Sequence, residues 1–171
     1  IIVGLITGFK SQNTKMKEEI TILQTADIHA YLNPHNELFV ENNAIVFRKA
    51  GGLSHIKTLV DEIRKENQNG ALFIDGGDLI QGSGESVLSE GKIFPPIIQQ
   101  MNYDLLIPGN WEVIYGKKIM LDVMKKYKTN VIVANMFDEK DQQPIFPPYW
   151  ITEKKGIKLG FIAYNDPEVP I

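Results

Sequence analysis

Asp27 and His29 stand two apart, Asp78 follows a Gly-Gly pair, and Asn110 follows Gly109. Carboxylate, imidazole and amide oxygen are donors that Mn, Fe, Zn and similar divalent ions accept. Two such ions about 3.5–4 Å apart need one carboxylate that gives an oxygen to each, with separate ligands on either side. Asp78 is the expected bridge. Asp27 and His29 are the expected ligands of one ion, and Asn110 offers its amide oxygen to the other. If the chain is extended there, the two-residue spacing points Asp27 and His29 to the same side. Each piece also has an ordinary reading: Asp-x-His as a solvated loop, Gly-Asp as a turn, Asn110 as a helix N-cap. Their order and shared context favour the metal centre. His35, in a loop, and His55, in a helix, are expected in surface or packing roles, and Met120 and Met124 in the core.

These donors need elements that bring them to one place. Glu18 to Thr25 reads as a strand running into Asp27-Ile28-His29. Ala71 to Asp75, almost wholly apolar, reads as a strand covered on both faces. Tyr103 to Pro108 and Asn130 to Ala134 read as two more. All three donor clusters then fall at the C-terminal edges of strands, where open α/β sheets place ligands. Leu53, Ile56, Leu59, Val60 and Ile63 mark one amphipathic helix, ending near Asn69-Gly70, and Ile119 to Tyr127 mark another. Tyr31 to Lys49 is expected to be a long polar loop, and Pro95-Pro96 to break a weaker helical region. Pro144 to Tyr164 reads as an antiparallel hairpin with a tight turn at Lys154-Lys155-Gly156. The alternation of strands and helices predicts a layered α/β fold.

Composition narrows the partners. The 171 residues are 43% hydrophobic and 23% charged, with a formal net charge of −3, so there is no basic face for a nucleic acid polymer. Cysteine is absent, which excludes disulfides, thiolate ligands and a cysteine nucleophile. Ile1 to Phe9 reads as the tail of an apolar export segment, followed by a polar linker through residue 17, and predicts a periplasmic or cell-surface protein. A first β-strand is the other reading of that run. Membrane attachment through this leader is conceivable, but Phe9 stands where lipidation needs a cysteine.

Asp27-Ile-His29, Gly77-Asp78 and Gly109-Asn110-x-Glu112 resemble the first three motifs of the calcineurin-like dimetal phosphoesterases. Ile22 to His29, Ala50-Gly-Gly-Leu53, Asp75-Gly-Gly-Asp-x-x-Gln-Gly82 and Val133-Ala-Asn-Met136 resemble their 5′-nucleotidase branch. The resemblance spans about residues 20–170. It implies a layered αββα sandwich in the α/β (α+β) class, and two divalent metal ions whose bound hydroxide attacks phosphorus in line. It also implies that Asp27 and His29 ligate the first ion, Asp78 bridges and Asn110 ligates the second. Residues 18–171 would be the N-terminal portion of the catalytic domain, incomplete at the C-terminus, with the remaining histidine ligands expected beyond Ile171. Such a piece is expected to bind metal weakly and to be inactive alone.

Where phosphatases of this branch carry a histidine and an aspartate that assist the transition state, this chain has Trp111 and Ile114. Neither can move a proton, and loss of acid assistance costs roughly 10²–10⁴-fold in rate. The Trp111, Glu112, Tyr115, Gly116 arrangement is similar to the dimanganese sulfohydrolase of the Sox system, although that motif has histidine at the place of Asn110. Three readings follow: a metal-dependent hydrolase of small phosphate esters, a Sox-type sulfohydrolase acting on a protein-bound cysteine conjugate, and a non-catalytic metal-binding or protein-binding module. Oligomeric state is not legible in the sequence.

Overall fold

Alternating side chains along the short strands of the centre point to opposite faces, and both faces are buried. The computed structural model describes residues 18–168. The remnant of an export segment and the linker expected over residues 1–17, and the chain end at Pro170-Ile171, lie outside the described residues. Four parallel strands form the central sheet in the order β1 (Thr21–Thr25), β4 (Ala71–Asp75), β5 (Leu105–Leu106) and β6 (Asn130–Val131).

Leu23, Phe73 and Leu106 face one way and pack against α1 (Leu53–Glu66), α3 (Phe94–Met101) and α4 (Lys117–Met124). Ile22, Ile74 and Leu105 face the other way and meet Trp150 and Phe161 of a hairpin, β7 (Tyr149–Lys154) and β8 (Ile157–Ile162). Leu72 and Phe73 retain 0% and 1% of their exposure, and burial of such side chains contributes about 1.5–3 kcal/mol each. The layers are therefore helices, parallel sheet and antiparallel hairpin, a mixed α/β arrangement. Tyr149, Ile151 and Ile162, on the hairpin's outer face, are exposed.

Several expectations change in detail. The segment expected as a long loop is a hairpin, β2 (His35–Glu41) and β3 (Ala44–Ala50), closed by Asn42-Asn43. Both asparagines have positive φ, 51° and 63°, as a type I′ turn requires, and asparagine tolerates that region. Pro95-Pro96 does not break a helix. It opens α3, where the missing N–H groups would have been unpaired anyway. A shorter helix, α2 (Gly84–Ser89), precedes it, with Ser83 accepting from the Ser86 N–H as its N-cap. The strands expected over Tyr103 to Pro108 and Asn130 to Ala134 shrink to two residues each. Leu59, expected on the buried face of α1, is 48% exposed, while its neighbour Val60 fills the core.

Candidate metal centre

The donors sit on three loops that leave β1, β4 and β5 at the same sheet edge. The first two are laced together by backbone hydrogen bonds: Gly76 N–H to the Thr25 carbonyl, Asp27 to Gly77, His29 to Asp78 and Ala30 to Leu79, at 2.7–3.0 Å. Beneath them Asp75, 1% exposed, accepts from the Thr25 hydroxyl at 2.5 Å and from the Gly77 N–H at 2.9 Å. One buried carboxylate thus fixes the ends of both strands. Burial pushes its pKa up to about 7, against those two hydrogen bonds, and the charges of Glu112 and Asp27 add to the rise. The Thr25 hydroxyl also meets the Tyr103 hydroxyl at 2.9 Å, and burial pushes that phenol well above its ordinary range.

Asp27, His29 and Asp78 each offer a ligand atom, and those atoms lie within 4.8 Å of one another. The route to this grouping differs from the extended geometry expected. β1 ends at Thr25, and Asp27, His29, Ala30 and Asp78 all have left-handed φ, at 54°, 47°, 60° and 57°. Each such residue costs roughly 1–2 kcal/mol. The chain coils to gather the donors instead of running straight past the site, and strain of this kind is typical of functional sites.

His29 Nδ1 lies 3.2 Å from the Gln81 carbonyl. A carbonyl only accepts, so this partner assigns the proton to Nδ1 and leaves the Nε2 lone pair available, 3.8 Å from Asp27 Oδ1. The approach requires Gly82, at φ 137°, because a Cβ there would stand 2.4 Å from the His29 carbonyl oxygen. Two carboxylates and one correctly oriented imidazole, partly exposed, suit a divalent cation.

Asn110 is on the third loop. Its side-chain N–H donates to the Glu168 carbonyl at 2.7 Å, and among the described residues nothing donates to its oxygen. Its neighbours touch the cluster directly: the Trp111 N–H donates to Asp78 Oδ1 at 2.9 Å, and a Cβ on Gly109 would fall 2.2 Å from that oxygen. The Trp111 ring lies edge-on to His29, with centroids 6.2 Å apart. Ile114 is 41% exposed, one turn beyond Trp111. His35 and His55 are not among the grouped donors; they lie on β2 and α1, bonded to Glu37 and to the Gly51 carbonyl.

Two features were not legible beforehand. The link from Thr25 to Asp75 leaves only a faint trace, a polar residue at the end of each of two apolar runs. Glu112 is 2% exposed and accepts backbone N–H bonds from two loops, although the sequence marks it only as a motif position. Beside Asp27 opens a cleft of about 480 Å³ lined by Ile28, Tyr31, His35, Glu37 and Ile56, in which the Tyr31 and His35 rings lie 4.7 Å apart. Among the described residues no helix is long and apolar enough to cross a membrane.

The calcineurin-like phosphoesterase family model matches residues 20–166. The 2′,3′-cyclic-nucleotide 2′-phosphodiesterase/3′-nucleotidase of Haemophilus influenzae is 27% identical over 180 residues, covering 95% of this chain and 26% of that protein. Further curated relatives are named 5′-nucleotidase. The chain spans 26–29% of the length of these curated relatives. Haemophilus influenzae NAD nucleotidase superposes with a TM-score of 0.76 at 26% identity, over 85% of this chain and 29% of that one. Thermus thermophilus sulfate thiohydrolase SoxB, 18% identical, shares the fold with a TM-score of 0.74 over 86% of this chain and 35% of its own. With the motifs, the sheet and the donor cluster in agreement, the chain belongs to the calcineurin-like phosphoesterase family.

Proposed function

We propose that this chain forms part of a metal-dependent hydrolase of small phosphate esters, of the 5′-nucleotidase-like kind. The observation that carries the reading is the convergence of Asp27, His29 and Asp78 at one sheet edge, in the motif order of the family. Asp27 and His29 would hold one ion, Asp78 would bridge, and Asn110 would present its oxygen to a second. Bound divalent ions at such a centre supply a nucleophile at neutral pH and neutralise the charge that develops on a transferring phosphoryl group.

The residues of this chain do the rest. Gln81 holds His29 in the ligating tautomer, the Trp111 N–H fixes the Asp78 carboxylate, and the cleft beside Asp27 leaves room for a small ester. Nucleotide esters are the favoured substrate class, because relatives similar over 95% of this chain bear nucleotidase and cyclic-nucleotide phosphodiesterase names. Manganese is the first ion to test. Residues 18–171 are read as the N-terminal portion of the catalytic domain. Export to the periplasm or cell surface belongs to the same reading, supported by the apolar run Ile1 to Phe9, and cell fractionation tests it.

The deciding assay offers nucleoside monophosphates, a 2′,3′-cyclic nucleotide and bis(p-nitrophenyl) phosphate to the full-length protein with Mn²⁺. Hydrolysis that disappears in Asp78→Asn supports the proposal, and no turnover of any phosphoester retires it. Trp111 against His29 favours a second reading, a Sox-type sulfohydrolase, since an indole cannot donate the proton a phosphatase histidine would. Sulfate release from a thiosulfonated carrier peptide, without phosphoester turnover, would select it.

A further inference from the structure

Glu112 lies just beyond Trp111, yet its side chain turns inward and is surrounded by main-chain donors. Oε1 accepts from Leu79 at 2.7 Å and Ile80 at 3.3 Å, and Oε2 accepts from Asp78 at 3.0 Å and Gly109 at 2.6 Å. These four N–H groups belong to two loops: one carries Asp78, the other Asn110 and Trp111. Among the described residues none of the four has another partner. Both oxygens of the carboxyl group are thus engaged by main-chain donors, two on each, and no acceptor competes for them. Asp75 cannot replace it. That carboxylate joins β1 to β4 and makes no hydrogen bond to the third loop.

The two loops are also in close backbone contact. A Cβ on Gly77 would lie 2.7 Å from the Gly109 backbone, so the chains touch where neither has a side chain. Without Glu112, four buried or half-buried N–H groups would lose their acceptor at that contact. Unpaired buried donors are costly, and the loops would separate to reach water.

We propose that Glu112 is a positioning residue for the metal centre: its carboxylate fastens the loop of Asp78 to the loop of Asn110 and Trp111, so that their donors hold a fixed separation before any cation arrives. This inference rests on the metal reading above. It concerns a residue that reaches the cation only through other groups. A purely structural role would lower the stability of the metal-free protein and leave the affinity of the folded protein unchanged. A positioning role lowers the affinity itself.

Two substitutions separate these effects. In Glu112→Gln the shape is kept, but one oxygen becomes an NH₂ that faces two N–H donors. In Glu112→Asp the charge is kept, but the side chain is one methylene too short to span both loops. Mn²⁺ titration calorimetry on the wild type and both variants, with near-ultraviolet circular dichroism to show that each is folded, gives the test.

The expected result is Mn²⁺ binding by the wild type and about 10–100-fold weaker binding by both folded variants. Wild-type protein that binds no Mn²⁺ overturns the metal reading, and the inference with it. Variant affinities within about threefold of wild type, well short of that range, overturn the positioning role and leave the metal reading standing. Full affinity in Glu112→Asp alone also overturns it, since charge rather than span would then be what matters. Should the variants not fold, hydrogen exchange on the wild type decides: slow exchange of the Asp78, Leu79 and Gly109 amides, slowed further by Mn²⁺, supports the tether. Exchange at the rate of an open loop overturns it.

Discussion

The site's geometry depends on a side chain that is missing. Gly109 lets the third loop lie against Asp78, and a methyl group there would meet both Oδ1 and the backbone nitrogen of Asp78, at 2.2 and 2.3 Å. Neither atom can retreat, because the nitrogen is tied to Glu112 and the oxygen to Trp111. Gly109→Ala is therefore expected to weaken Mn²⁺ binding by at least about tenfold while the helices stay folded; titration calorimetry with far-ultraviolet circular dichroism checks it. Asp75 permits a sharper statement. Its carboxyl, pushed up to about 7 by burial, keeps its proton in the folded protein where the unfolded chain, at 3.8, has lost it. Its contribution is therefore fully present below pH 4 and lost as pH rises to 7, by an amount on the order of 4 kcal/mol. In Asp75→Asn the amide oxygen still accepts from Gly77 and the amide nitrogen donates to Thr25, so most of that slope should vanish. Urea midpoints at pH 5 and pH 8 in chelator test this, and a variant that tracks the wild-type profile would refute it. The donor residues were legible because Asp-x-His, and a carboxylate or amide straight after a glycine, are conspicuous in one dimension. Thr25, Asp75 and Glu112 were not, because their partners are main-chain groups or residues up to 78 positions away, with no local spacing to betray them.

Among the elements, those with a strong period were readable: the buried run of β4, the apolar stripe of α1 apart from Leu59, and the turn at Lys155-Gly156 lie where the pattern put them. The β2–β3 hairpin was not, because its strands do not alternate in the ordinary way. Leu38, Val40, Ile45 and Phe47 share one face and are 46–70% exposed, and Phe39 on the other face lies under Arg48. With apolar residues on both faces the period-2 signal disappears, and polar residues at both ends then suggest a loop. This hairpin makes its main contacts with itself, so its opening should be a local event, cheaper than global unfolding. Asn43, with φ 63°, occupies the second centre of the turn, where glycine is favoured. Asn43→Gly is expected to raise the protection of hairpin amides by up to about 1 kcal/mol, the relief of the left-handed penalty less the extra freedom that glycine gives the open chain. Amides of β4 should be unaffected. Native-state hydrogen exchange resolves the two regions, and equal changes in both would show that the hairpin unfolds only with the core.

For the molecule as a whole, the sheet concentrates negative charge at one end. Asp27, Asp78 and Glu112 meet at the C-terminal edge over Asp75, whose charge joins theirs only as pH rises through about 7, in a chain whose formal net charge is already −3. The parallel strands force this, since every loop leaving a strand on that edge contributes to the same small region. Without a cation the cluster repels itself. A divalent ion removes the repulsion, and any ligand that binds only the folded state stabilises it, by about 2.7 kcal/mol at a hundred times its dissociation constant. For a domain of this size that is a rise in Tm of roughly 5–10 °C. The same substitution should then have opposite signs in two buffers. Asp78→Asn keeps an oxygen for the Trp111 N–H and deletes one of the crowded charges, so in chelator the variant is expected to melt at or above the wild-type temperature. In saturating Mn²⁺ it should lose the gain and melt below. Melting curves of both proteins in EDTA and in Mn²⁺ at constant ionic strength measure the crossing. If Mn²⁺ leaves the wild-type Tm unmoved, the grouped carboxylates and imidazole are not a metal centre, and if Asp78→Asn is the less stable protein in both buffers, Asp78 serves packing rather than a cation.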